Sequence, residues 1–183
     1  DLTGHEIHDY ADTVIEAANA AGIDPRALFA ILAHESAGRQ RWGVAGLDNI
    51  NVILDRGSIG MGQMQRAAFV ETAVNHPEVL GRTVTREEAE AAWADLIYDD
   101  ALAIRATAYH LRDLMDKLPP DMSPADRYRM AAVGYNMGAE KMLEQVRAGE
   151  LGYEEARNYS KTFDERFEEA DRFFCQDDHF ACS

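Results

Sequence analysis

Glu35 stands where the sequence pattern calls for a leucine. The run Ala27-Leu28-Phe29-Ala30-Ile31-Leu32-Ala33-His34-Glu35-Ser36 reads as a helix, with Asp24 as its N-cap and Pro25 in its first turn. Leu28, Ile31 and Leu32 make an apolar stripe, and Glu35 is the next position on it, because offsets of three, four and seven residues share one helix face. Gly38 and the polar run beyond it predict that the helix ends soon after Ser36, which puts Glu35 in the last turn, at the negative end of the helix dipole. Burial and that dipole both disfavour the ionised carboxylate, so both raise its pKa. A carboxyl group still protonated near neutral pH is what general acid catalysis requires. A glutamate in a last turn can also face water or pair with Arg39 or Arg41, and the helix pattern alone leaves both readings open.

Other residues with chemical potential are spread along the chain. Asp48 and Asp55 lie within about 20 residues of Glu35 in a glycine-bearing segment, Ser36 to Ile59; each reads first as a turn-forming aspartate. Gly60-Met61-Gly62-Gln63-Met64-Gln65 carries two glycines at a spacing that suits close backbone approach to a ligand, but it lacks the lysine of a phosphate-binding loop. Asn136, in Gly134-Tyr135-Asn136-Met137-Gly138, is an amide at a helix end near glycines, a place that serves a turn or a ligand. Tyr135 and Tyr159 read by default as core residues with hydrogen-bonded phenols, and Met61, Met64 and Met137 as core or cleft floor. Cys175 and Cys182 are close enough in sequence for a small disulfide loop, with two free thiols as the alternative. With His179 between them they match no trusted zinc spacing, and His5 and His8 read as solvated, so no metal site is expected.

The elements that must position these groups are helices. A capping box at Thr3 and Glu6 predicts a first helix over about 5–21, stopped by Gly22. A short hairpin at most is expected between Ser36 and Ile59, where Ile50-Asn-Val-Ile-Leu54 leans toward strand. Helices are then expected over Arg66–Val74, from a second capping box at Thr85 and Glu88 through Trp93, and over Tyr98–Leu118 up to Pro119-Pro120. Three more run from Ser123-Pro124 toward Asn136, over Ala139–Ala148, and from Tyr153 toward Phe174. The reading is a mainly α single domain, residues 1–183, of about seven or eight helices with at most a small hairpin; residues 164–183 form a C-terminal helix and Cys-bearing tail.

Composition narrows the partners. The 183 residues are 46% hydrophobic and 28% charged, ordinary for a globular protein, and the net charge is −15. That charge argues against nucleic acid, and no apolar run approaches a membrane span. No signal peptide is visible in a sequence that begins at Asp1, and a disulfide would fit an oxidising, extracytoplasmic setting.

Four segments in order carry a resemblance: His34-Glu35-Ser36, Gly60-Met61-Gly62-Gln63-Met64-Gln65, Gly134-Tyr135-Asn136-Met137-Gly138 and Glu155-Ala156-Arg157-Asn158-Tyr159. Over about residues 24–163 the chain resembles the soluble lytic transglycosylase (SLT) family of the lysozyme-like superfamily. Its pattern is Glu-Ser, Gly-Leu-Met-Gln, Ala-Tyr-Asn-Ala-Gly and Glu-Thr-x-x-Tyr. Gln63 replaces the Leu, Gly134 the first Ala and Ala156 the Thr. The stretch between Glu35 and Gln65 is longer than usual and is similar to that of goose-type lysozymes.

The resemblance implies a lysozyme-like fold and action on peptidoglycan glycan strands, at the β-1,4 bond between N-acetylmuramic acid and N-acetylglucosamine. Glu35 would be the acid/base. Ser36, Gln63, Met64, Gln65, Tyr135, Asn136 and Tyr159 would line the substrate cleft, with Tyr159 close to Glu35. The expected reaction is lytic transglycosylation to 1,6-anhydro-muramoyl products. The alternatives are a muramidase that uses Asp48 or Asp55 as second carboxylate, and a binding module that does not cleave. No cofactor is expected, and the protein is expected to be a monomer that is periplasmic, secreted or cell-wall associated.

Overall fold

The computed structural model describes residues 10–41 and 58–176, with side chains described over 10–35 and 60–175. In chain order the elements are α1 (Ala11–Ala21), α2 (Pro25–Arg41), β1 (Ser58–Ile59), β2 (Met64–Gln65), α3 (Arg66–Asn75), α4 (Arg86–Ala92), a 3-10 turn (Trp93–Ile97), α5 (Asp100–Asp116), α6 (Pro124–Met137), α7 (Ala139–Ala148) and α8 (Glu154–Gln176). The mainly α expectation holds. Calls at Thr3, Glu6, His5, His8, Asp48, Asp55, the Ile50–Leu54 run and Cys182 lie outside the described residues.

Helix α2 forms as its sequence dictates at its start. The Asp24 carboxylate accepts from the Arg26 amide at 2.8 Å, capping the first turn behind Pro25. The Arg26 guanidinium then ties that turn to Asp171 of α8 at 2.6 Å. Its far end corrects the sequence reading. The helix runs through Gly38 to Arg41, so Glu35 lies in its interior and the dipole at its end does not act on the carboxyl. A glycine inside a helix costs only about 1 kcal/mol, too little to stop a helix whose preceding two turns are buried. Ala27 through Leu32 are fully buried, all round the helix rather than along one stripe. Phe29 packs on Phe173 and Phe174 of α8, with ring centroids 6.0 and 5.6 Å away. Burying Leu28, Phe29, Ile31 and Leu32 contributes roughly 1.5–3 kcal/mol each.

Helix α5 is the second buried axis. Asp99 caps it, accepting from the Leu102 amide at 2.8 Å, and it packs against α1, α2, α3 and α6. Leu102, Ile104, Leu111 and Leu114 are core, as their spacing predicts, and Ala106, Thr107 and Tyr109 are buried as well. Helix α6 starts at Ser123, which accepts from the Asp126 amide, with Pro124 in its first turn. Near its end Gly134 explains its own departure from the family's alanine. A Cβ there would lie 2.5 Å from Met142 Sδ of α7 and 3.2 Å from Leu114 Cδ2 of α5.

The described hairpin lies further along than the one expected between Ser36 and Ile59, most of which is outside the described residues: Ser58 pairs with Gln65 and Ile59 with Met64, antiparallel, around a turn over 60–63. Gly60 sits at φ +76° against the Leu96 carbonyl, a position closed to any side chain. The Met64 carbonyl accepts from Trp93 Nε1 at 3.2 Å, which fastens the hairpin to the 3-10 turn. The capping box at Thr85 and Glu88 is present, but the helix it opens stops at Ala92 and tightens into that turn.

Candidate active site

Glu35 opens from α2 into a cleft of about 460 Å³ between the hairpin, α3, α5 and the end of α6. Gln63, Met64, Gln65, Tyr135 and Asn136 line the same cleft, so five residues singled out from two other motifs converge on Glu35. Asn136 also lines a second, more open hollow of about 570 Å³ with His34, Tyr159 and the start of α8. Tyr159 reaches Glu35 from that side: its hydroxyl donates to Glu35 Oε1 at 2.6 Å. Glu35 therefore spends a carboxylate oxygen on Tyr159. The side chain of Ser36 and all of Asp48 and Asp55 lie outside the described residues.

Burial pushes the Glu35 carboxyl up to about 7, and the Tyr159 hydrogen bond opposes that rise. Both protonation states are thus within reach near neutral pH, the condition for a group that must give and take a proton. Tyr159 is held well above the ordinary phenol range by burial first and then by the Glu35 charge, so it stays a donor. His34 packs its ring edge-on against Tyr159 at 4.4 Å, and burial lowers its pKa, keeping the imidazole neutral. Replacing Tyr159 by Phe removes the bond that favours ionised Glu35, and the Glu35 pKa is expected to climb by about one unit. Carboxyl-carbon NMR titration reads this directly; an unmoved midpoint would mean that the Tyr159 bond does not load Glu35.

Tyr135 does something different. Its hydroxyl donates to the Gly62 carbonyl at 2.6 Å and lies 3.3 Å from Thr107 Oγ1, which itself donates to the Ala103 carbonyl at 2.8 Å. It therefore clamps the 60–63 turn to α5 and α6. Gln63 is held at φ +46°, and its Nε2 donates to the Gly60 carbonyl at 2.9 Å. The side-chain donor that replaces the family's leucine is thus engaged by its own turn.

Several cleft residues were not singled out from sequence. His110, Asp113 and Lys117 line the cleft from α5 and the residue that follows it, and Glu71 lines it from α3. Thr107 could have been found by the logic that found Glu35, since it is a polar residue on the stripe running from Ala103 through Leu111 and Leu114. His110 is lowered to about 4 by burial, with Asp113 opposing and Lys117 assisting. Among the described residues no cluster of three or more His, Cys, Asp or Glu could hold a metal ion. No described helix is long and apolar enough to cross a membrane.

Compared with known families, residues 12–155 match the model of the transglycosylase SLT domain. No curated protein and no solved structure matches the chain.

Proposed function

The chain belongs to the transglycosylase SLT domain family, a family of peptidoglycan-cleaving enzymes, and from that premise we propose that it cuts the β-1,4 bond between N-acetylmuramic acid and N-acetylglucosamine with Glu35 as acid/base. The observation that carries this reading is the Glu35 carboxyl, recessed in the cleft, poised at about 7 and held by Tyr159.

Protonated Glu35 gives its proton to the glycosidic oxygen as the C1–O4 bond breaks and positive charge develops at the anomeric carbon. The resulting carboxylate takes the proton of the muramic acid 6-hydroxyl, whose oxygen bonds to C1. The product carries a 1,6-anhydro ring, and Glu35 ends protonated as it began. The nucleophile is part of the substrate and already near C1, so the step needs no second carboxylate and no activated water. Gln65 and Asn136, exposed at the cleft wall, supply amides for sugar hydroxyls and N-acetyl groups. Peptidoglycan lies outside the cytoplasm, which makes the proposed site of action periplasmic, secreted or cell-wall associated.

Mass spectrometry of products from purified peptidoglycan tests the reading. Anhydro-muropeptides are expected. Reducing-end products would replace it with hydrolysis and bring Asp48 and Asp55 forward as the second carboxylate. Binding to the polymer without soluble product would replace it with the non-cleaving module. In a separate proteolytic digest of the protein, a mass shift of the Cys175 peptide on reduction tests the proposed Cys175–Cys182 bridge.

A further inference from the structure

The chain carries 33 acidic against 18 basic side chains, and five of its described arginines, Arg26, Arg82, Arg112, Arg129 and Arg166, each hold a carboxylate. Lys117, just past the end of α5, is set apart by its place. It is exposed, it lines the Glu35 cleft, and no ion pair engages its ammonium among the described residues. Asp113 stands four positions before it on the same helix face, the usual spacing for an ion pair. No such pair is present; Asp113 Oδ1 is instead held by His76 Nε2 of the residue following α3, at 2.7 Å. His110, one turn further back, is kept neutral by burial and adds no competing charge.

Among the residues lining the cleft, Lys117 is therefore the single fixed cation, and the other charged groups are the carboxyls of Glu35, Glu71 and Asp113. An anionic group on a bound strand is repelled over most of the cleft and attracted at one place. We infer that Lys117 forms a carboxylate-binding subsite that fixes where a charged substituent of the glycan strand sits relative to Glu35. This rests on the peptidoglycan reading above, since that polymer carries carboxylates close to its sugars: on the lactyl ether of muramic acid where the peptide has been removed, and on the stem peptide where it has not. Lys117 acts on substrate placement, so its effect falls on saturation by the polymer.

The test compares the wild type with Lys117→Met and Lys117→Arg on three polymers: intact peptidoglycan, amidase-stripped strands bearing lactyl carboxylates, and strands whose carboxyls have been chemically amidated. Product release gives KM. Co-sedimentation is read in parallel with the same Lys117 variants built on Glu35→Gln, so that binding is measured without cleavage. Lys117→Met is expected to weaken saturation about two- to five-fold on carboxylate-bearing polymer, the scale of a solvent-exposed ion pair. Lys117→Arg restores it, and the difference vanishes on amidated strands. A response confined to stripped strands assigns the lactyl carboxylate, and one confined to intact strands assigns the stem peptide. Equal saturation of Lys117→Met and wild type on both charged polymers overturns the inference, as does an equal loss on amidated strands. A wild type that releases no product fails the proposed function, while co-sedimentation still decides the role of Lys117.

Discussion

Glu35→Gln is expected to remove turnover and, at the same time, to make the protein more stable above neutral pH. General acid catalysis by a placed side chain contributes roughly 10²- to 10⁴-fold, and Glu35 is asked to serve both as acid and as base, so product release should fall by at least about 10³-fold. The amide keeps the shape of the site, because its oxygen can still accept from the Tyr159 hydroxyl that now reaches Glu35 Oε1 at 2.6 Å. The stability effect follows from proton linkage. The Glu35 pKa is raised from 4.5 to about 7 on folding, so between those values the native state binds more protons than the unfolded chain. The contribution of Glu35 to wild-type stability is therefore fully present below about pH 4.5 and is lost as pH rises through 7. Glutamine does not titrate and loses nothing over that window. Urea unfolding should show Glu35→Gln ahead by about 2–3 kcal/mol at pH 8, with the gap closing toward pH 4. Undiminished cleavage would remove Glu35 from the mechanism; a pH-independent gap would mean that its carboxyl has the same pKa in the native and unfolded states.

That trade of stability for a titratable group is also why Glu35 was legible in the sequence. A carboxylate on the line Leu28, Ile31, Leu32 is a local loss that nothing nearby repays. The end of α2 was not legible, because a single Gly38 weighs less than the packing of the turns before it, and packing on α8 is a long-range fact. The same limit hid the difference between Tyr159 and Tyr135. Both are phenols in motifs near glycines or polar residues, and only the fold sends one to the Glu35 carboxylate and the other to a backbone carbonyl. His110 and Lys117 escaped for a related reason: α5 is buried on nearly every side, so its short cleft-facing strip is not marked by a polar face. Helix starts at Asp24, Thr85 and Ser123 were read well because their signals are local: side chain and capped amide are within three residues of each other.

Gly62→Ala is expected to have the largest effect on the site outside Glu35 itself, and by a route that touches no reacting atom. A Cβ at Gly62 would overlap Thr107 Oγ1 and come within 2.8 Å of the Tyr135 hydroxyl. Neither neighbour can withdraw cheaply. Thr107 is buried and bonded to the Ala103 carbonyl, and the Tyr135 hydroxyl holds the Gly62 carbonyl itself. The turn must move off α5, which breaks the Tyr135 clamp and shifts Gln63, Met64 and Gln65 away from Glu35. Overpacking of this kind costs about 1–3 kcal/mol, and the lost buried hydrogen bond adds about 1 kcal/mol or more. Thermal or urea unfolding should therefore report a loss near 3 kcal/mol, with turnover falling further than stability alone explains because the cleft wall is displaced. Thr107→Ala removes the nearest obstacle and should return part, but not all, of the loss when added to Gly62→Ala, since the Tyr135 hydroxyl still stands in the way. Strict additivity of the two substitutions, or a Gly62→Ala protein as stable and active as the wild type, would mean that the turn does not depend on this close approach.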